Sequence, residues 1–78
     1  MPEKELIELI VREIVDKPDK VSLNVIVGDK STILELKVDQ DDVGKVIGKH
    51  GRIAQAMRVL LNATASKTGR HTVLQIME

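Results

Sequence analysis

Two glycines bracket a lysine and a histidine in the segment Gly48-Lys49-His50-Gly51. Since glycine has no side chain, a sugar-phosphate chain can come close to the peptide at both ends of this segment. Lys49 supplies a mobile positive charge, and His50 can donate a hydrogen bond when neutral and add charge when protonated. These residue types at this spacing predict contact with the phosphate backbone of a nucleic acid.

The distribution of charge supports that prediction, although the whole chain is formally neutral. Residues 1–42 contain six Lys or Arg and eleven Asp or Glu, whereas residues 43–77 contain six Lys or Arg and no acidic residue. Such an asymmetry is typical of a chain with one phosphate-binding surface. Lys45 and Arg52 lie within one helical turn of the glycine segment, and we expect them to add to its positive field.

Other kinds of site are poorly supported. Without cysteine the chain has no disulfide, thiolate zinc site or thiol nucleophile. His50 and His71 are far apart in the sequence, and the aspartates at 39, 41 and 42 fit helix capping better than calcium binding. No pairing of a nucleophile with a general base is apparent. The sequence therefore predicts no metal, no cofactor, no small-molecule substrate and no enzymatic activity.

The chain also lacks Phe, Tyr and Trp. RRM, OB-fold and cold-shock domains stack bases on aromatic side chains, so these classes of nucleic-acid reader are excluded. A length of 78 residues allows one small core, and no stretch is long and apolar enough to cross a bilayer. We therefore expect one cytoplasmic domain, residues 1–78, without membrane association.

The elements that must position the glycine segment follow from hydrophobic periodicity. Residues 3–15 carry apolar side chains every three to four positions, which predicts an amphipathic helix ending near Asp16. Residues 21–27 and 32–38 alternate apolar and polar side chains and predict two antiparallel strands, each with one buried face. Residues 28–31 have the composition of the hairpin turn between them.

The second half predicts two helices and a strand. Within residues 39–42, one of the aspartates is expected to cap a helix that begins near Val43. Three glycines in residues 44–51 predict a break around 48–51, followed by a helix from Arg52 to about Thr68. Residues 71–77 predict a last strand.

The longer of these helices has two distinct sides. Met57 and Leu61 fall on its apolar side and are expected in the core. Arg58, Asn62 and Ser66 fall on the other side, where we expect solvent or a partner.

The segment Val46-Ile47-Gly48-Lys49-His50-Gly51-Arg52-Ile53 resembles the signature of KH domains, with Ile47 and Ile53 in its apolar positions. The order helix, strand, strand, helix, helix, strand is that of the prokaryotic type II arrangement. More closely, the chain is similar to the stand-alone bacterial KH proteins of the KhpA family. The resemblance implies an α+β fold in which a single KH domain packs a three-stranded sheet on helices.

The resemblance also implies a function. In KH domains the Gly-x-x-Gly loop clamps about four nucleotides of single-stranded RNA, and their bases lie in a groove between the helices and a strand. Here it would put that groove beside Val43, Ile47, Ile53 and residues 34–38. The family pairs with itself and with a larger Jag-type KH protein. In some bacteria it is linked to cell shape and cell wall organisation through RNA-level regulation or chaperoning.

Two other functions stay open. The first is a protein-interaction module, in which the loop and its flanking helix form a homodimer or a heterodimer with a Jag-type partner and RNA contact is secondary. The second is binding of duplex DNA by a helix-turn-helix, which is disfavoured because the helix that would read the DNA is largely apolar.

Overall fold

The order of elements in the computed structural model, which describes residues 1–77, is helix, strand, strand, helix, helix, strand. Their bounds are Pro2–Ile14 (α1), Ser22–Val27 (β1), Ser31–Lys37 (β2), Val43–Ile47 (α2), Arg52–Thr68 (α3) and His71–Ile76 (β3). Short 3₁₀ turns occupy Pro18–Lys20, Gln40–Asp42 and Lys49–Gly51. The α+β class and the type II order predicted from the sequence are confirmed, with each boundary within a few residues of its predicted place.

The sheet has the order β1-β2-β3. β1 and β2 are antiparallel, with Val25 opposite Leu34, and β2 and β3 are parallel, with Leu34 opposite Leu74. Parallel neighbours need a long crossover connection, and here α2 and α3 form it. The glycine segment therefore lies in the middle of the crossover that joins the central strand to an edge strand.

One face of the sheet and the inner sides of the three helices form the core. Its fully buried members are Ile7, Val11, Leu34, Leu36, Val46 and Leu61. Met57 is also buried, which with Leu61 confirms the predicted inner side of α3. On the opposite face of the sheet, Ile26 and Val73 are exposed and Ile33 is half-buried. The core thus holds both helices of the crossover against one face of the sheet.

The prediction of one buried face along the whole of β1 is wrong at its hairpin end. Leu23 is buried and Val25 is half-buried, but Val27 is 66% exposed. The helices cover only the first part of this edge strand, so alternation in the sequence does not lead to burial beyond Val25.

The predicted role of the aspartates also needs correction. Asp39 caps the 3₁₀ turn before α2 by accepting a hydrogen bond from the backbone N–H of Asp41 at 3.0 Å. Asp42 occupies the N-cap position of α2 but makes no capping bond there. Its buried carboxylate instead accepts from the backbone N–H groups of Asp16 at 3.3 Å and Lys17 at 3.0 Å. Asp42 therefore fastens the end of α1 to the start of α2.

Replacing Asp42 by alanine should lower the free energy of unfolding by about 1–3 kcal/mol, because two backbone donors lose their acceptor. Asp19→Ala, at an exposed position of the first 3₁₀ turn, serves as the control and should change stability by less than about 0.5 kcal/mol. Urea denaturation followed by circular dichroism measures both. Equal effects of the two substitutions would contradict the assigned role of Asp42.

Candidate nucleic-acid interface

The glycine segment forms a tight connection in which three residues have positive φ. These are Gly48 at 77°, His50 at 58° and Gly51 at 72°. The N–H of Gly48 ends α2 by donating to the carbonyl of Gly44 at 2.9 Å, and the N–H of Gly51 donates back to the carbonyl of Gly48 at 3.1 Å. Lys49 and His50 are both exposed at the tip. The predicted break between the two helices is confirmed, and its basic side chains face solvent.

Gly48 is required by packing as well as by conformation. A Cβ placed on Gly48 would lie 2.6 Å from Cγ1 of Ile53, well inside contact distance. Ile53 is half-buried and also packs against the core. Gly51 has open space around it, so only its left-handed conformation favours glycine there. Ile53 therefore packs between Gly48 and the core and holds the loop in place.

The first turn of α3 follows the loop directly. Its N-cap is Gly51, and no side chain caps the helix. The N–H groups of Gly51 and Arg52 donate to the carbonyls of Gly48 and Lys49, so this 17-residue helix presents mainly the positive end of its dipole at the loop. Arg52, the first residue of the helix, is exposed. The N-terminal end of α3 thus lies beside three basic side chains, those of Lys49, His50 and Arg52. A helix end of this kind attracts phosphate.

Lys45 lies in a different environment from the one expected. Its ammonium group donates a hydrogen bond to the carboxylate of Asp16 and lies 3.9 Å from that of Asp42. The bond to Asp16 raises the pKa of Lys45 above its ordinary value of 10.5. The sequence placed Lys45 with the loop cations, whereas in the fold it is paired with the end of α1.

A second ion-pair cluster lies at the same junction. The ammonium of Lys17 contacts the carboxylates of Asp41 at 3.1 Å and Asp39 at 3.3 Å, and its pKa is raised mainly by the bond to Asp41. The backbone N–H of Asp41 is the main cause that lowers the pKa of Asp39. Exposed pairs of this kind add little stability. These ion pairs do neutralise part of the acidic charge of residues 1–42, because Asp39 and Asp41 pair with Lys17.

A groove runs from the loop along the edge of the sheet. It is lined by Ile33, Ile47, Gly51, Ala54, Arg58, Val73, Leu74, Gln75 and Ile76. Its volume of about 530 Å³ falls in the range of about 300–1,000 Å³ of clefts that hold small organic ligands. One wall of the groove is helical and the other is β3.

The predicted position of the groove is therefore partly wrong. Ile47 lines it, but Leu34 and Leu36 are completely buried in the core. Val43 lines a separate hollow, and Ile53 lies against Gly48. β3 forms the wall because it is the edge strand on the side of α3, which alternation along β2 could not reveal.

Arg58 is the charged groove residue that sequence reasoning missed. Its Nε and Nη2 both lie 3.4 Å from the carbonyl oxygen of Leu74 and donate to it. A helical stripe at spacings of three and four joins Gly51, Ala54 and Arg58 on one side of α3. That stripe leads away from the loop, and it was the feature of the sequence that could have indicated that Arg58 lies in the groove.

Neither a metal cluster nor a membrane span is found in the described part of the chain. Among residues 1–77, no three His, Asp or Glu side chains converge in a group that could hold a metal ion. Within the same residues, no helix has both the length and the apolar character needed to cross a membrane.

Comparison with known proteins identifies the family. The family model described as "KhpA/KhpB, KH domain" matches residues 4–76. The chain belongs to this family. The RNA-binding protein KhpA of Borreliella burgdorferi is 62% identical, over 97% of this chain and 93% of its own length. The proteins of that name from Clostridium perfringens and Aquifex aeolicus are 50% and 48% identical, over 95% and 96% of this chain and 99% and 95% of their own lengths.

Membership of the KhpA/KhpB family confirms the resemblance found in the sequence. It agrees with the fold, in which a three-stranded sheet packs on helices and two of the helices flank a Gly-x-x-Gly loop. KH domains are a non-catalytic kind of protein, so family membership also confirms that the chain is not an enzyme.

Three glycine-to-alanine substitutions should separate packing from backbone conformation. Gly48→Ala should lower the free energy of unfolding most, by about 3 kcal/mol, because strain at a glycine-only conformation adds to the clash with Ile53. Gly51→Ala should cost about 1–2 kcal/mol from its left-handed φ alone. Gly44→Ala, in a helix with open space, should gain up to about 1 kcal/mol.

Chemical denaturation of the three variants beside the wild type measures this order. If Gly48→Ala cost no more than Gly51→Ala, the described support of the loop by Ile53 would be wrong.

Proposed function

We propose that the chain binds single-stranded RNA, with Gly48, Lys49, His50 and Gly51 clamping the sugar-phosphate backbone. The observation that carries the proposal is the uncapped N-terminus of α3 meeting a tight loop with two exposed basic side chains. The positive end of the helix dipole and the basic side chains then converge on one place where Gly48 and Gly51, which lack side chains, let phosphate approach the peptide. The RNA-binding names of relatives that match nearly the whole chain support this assignment.

The groove beside the loop favours a single strand over a duplex. Its aliphatic walls, which include Ile47, Ala54 and Val73, suit the faces of unstacked bases. In a duplex the bases are stacked and cannot enter such a cleft. The inner side of α3 is buried in the core, and its outer side carries exposed Val59 and Leu60 where a helix reading duplex DNA needs polar side chains.

The proposed site residues have different roles. Lys49, His50 and Arg52 contact phosphate, and Ile47 contacts a base in the groove. Ile53 acts indirectly by supporting Gly48. Lys45 contributes only if it leaves Asp16, so it ranks below the other cations.

A single clamp that touches few phosphates gives weak, salt-sensitive binding. Such binding fits action on many transcripts, in post-transcriptional regulation or as an RNA chaperone. Pairing with a second RNA-binding chain would raise the overall affinity for RNA.

The variant Lys49→Asp/His50→Asp should weaken binding to a single-stranded RNA by at least about tenfold, because it removes the Lys49 cation and adds two carboxylates. Fluorescence anisotropy at low and at physiological salt measures the affinity. The slope of log affinity against log salt should become shallower by about 0.7 for each phosphate that the variant no longer neutralises.

The matched control is Ser66→Asp/Lys67→Asp, which makes the same change of formal charge at exposed positions near the other end of α3. It should retain most of the affinity. If both folded variants bound like the wild type, or the wild type did not bind, the clamp would be wrong and a protein-interaction role would take its place.

A second function, pairing with another KH chain, is favoured by the outer side of α3. Ala56, Val59, Leu60 and Ala63 are all exposed and follow the three-to-four spacing of one stripe. Val59 and Leu60 are 56% and 44% exposed, and a contiguous exposed apolar patch is typical of an interaction surface. We place the contact with a second copy, or with a larger Jag-type KH protein, on this stripe.

Leu60→Lys should raise the dissociation constant of the self-associated form at least about tenfold, because a charge would be buried at the contact. Sedimentation equilibrium over a range of concentrations measures it. Leu9→Lys, at an apolar position of α1 that is 62% exposed, is the control and should leave association unchanged. Equal behaviour of the two variants would exclude the α3 stripe as the interface.

A further inference from the structure

The edge of β3 that does not pair with β2 faces the groove. Within the described residues, β3 pairs only with β2. The N–H groups of His71 and Met77 donate to carbonyls on the β2 side, at Lys30 and Leu36. Since backbone groups alternate in direction along a strand, the N–H and C=O of Leu74 point the other way, into the groove.

An open strand edge of this kind offers one donor and one acceptor. Adenine suits such an edge, because its exocyclic amino group needs an acceptor and its adjacent ring nitrogen needs a donor. In this chain the acceptor is already engaged. Arg58 donates to the carbonyl of Leu74 through two of its nitrogens.

Arg58 also changes what the groove offers. A guanidinium group has five N–H donors and no acceptor, so three donors remain after the two bonds to Leu74. Together with the N–H of Leu74, these make this part of the groove rich in donors and positively charged. A base bound here needs acceptors, and a ring carbonyl oxygen is the strongest acceptor that a nucleobase has.

The position of Arg58 separates this role from phosphate binding. It lies six residues beyond Arg52 along α3, which corresponds to about 9 Å of helix. The loop and the start of α3 hold the phosphates in the proposed function, whereas Arg58 lies against the strand that forms the opposite wall of the groove.

From these observations we infer that Arg58 makes the base position beside Leu74 prefer bases with a ring carbonyl, such as uracil, over adenine. This inference rests on the proposed binding of single-stranded RNA. Arg58 acts in two ways: it occupies the acceptor that adenine would use, and it supplies donors for the carbonyl oxygens of uracil. It therefore determines base preference rather than overall affinity.

The experiment compares the affinities of the wild type for an eight-nucleotide oligouridylate and an eight-nucleotide oligoadenylate. The wild type should bind the uridylate about tenfold more tightly. In Arg58→Met, which keeps an apolar stem of similar length, the Leu74 carbonyl becomes available. The preference should then fall close to one, with weaker binding of uridylate and no loss for adenylate.

Arg52→Met is the matched control, since it removes the same charge from the same helix at a position outside the groove lining. It should weaken both oligonucleotides by the same factor and leave their ratio unchanged. Arg58→Lys keeps the charge but lacks the planar fork, so its ratio should also fall. Because it is the milder change, it provides the test if Arg58→Met does not fold.

Three results would overturn the inference: the same ratio in the wild type and the Arg58 variants, an equal fall for both oligonucleotides in those variants, or a wild-type preference for adenylate. In each of these cases RNA binding itself would stand. A folded wild type that bound neither oligonucleotide would instead refute the proposed function, and the inference with it.

Discussion

The close contact between Gly48 and Ile53 is the constraint on which the rest of the site depends. The side chain of Ile53 occupies the space where any Cβ at position 48 would lie, and the backbone of Gly48 has a φ of 77°. Together these two features end α2, turn the chain sharply and start α3 one short turn later. Because Ile53 fills the inside of the bend, the polar groups of Lys49 and His50 face outward.

The fold places this bend by means of contacts over long sequence distances. The crossover from β2 to β3 must span the face of the sheet, and the loop lies in its middle. Asp42 then fastens the start of the crossover to the end of α1 through two backbone donors. Lys45 and Lys17 pair with acidic groups at that same junction. The acidic first half of the chain therefore meets its own cations there, while Lys49 and Arg52 are presented elsewhere.

In the proposed function, the loop and the groove divide recognition between two kinds of chemistry. The positive end of the α3 dipole and the cations of the loop attract any phosphate, so on this proposal they hold RNA without reading its base sequence. The groove beside them combines aliphatic walls with a few oriented polar groups, of which Arg58 and the backbone of Leu74 are the most specific. On the inferred role of Arg58, a domain without aromatic residues distinguishes bases by hydrogen bonding at a strand edge, where other folds rely on stacking.

Much of the fold and part of the candidate site could be predicted from the sequence, because the signals involved are local. Helical and strand periodicities, the hairpin turn and the glycine break arise from residues within a few positions of one another. The signature around Gly48 then indicated the KH family, and family membership confirmed it. The prediction of burial was wrong where local alternation continued beyond the cover of the helices, as at Val27.

The helices and strands, their order and the residues of the loop could all be read from local patterns in the chain. The neighbours of each side chain became apparent only in the folded molecule. Lys45 meets Asp16 across 29 positions, and Arg58 meets the carbonyl of Leu74 across 16. These partners depend on how β3 returns beside β2, and no spacing within one helix or strand encodes that arrangement. Periodicity indicates which side of a helix or strand is buried, whereas a groove is formed between two elements that meet only after the chain has folded.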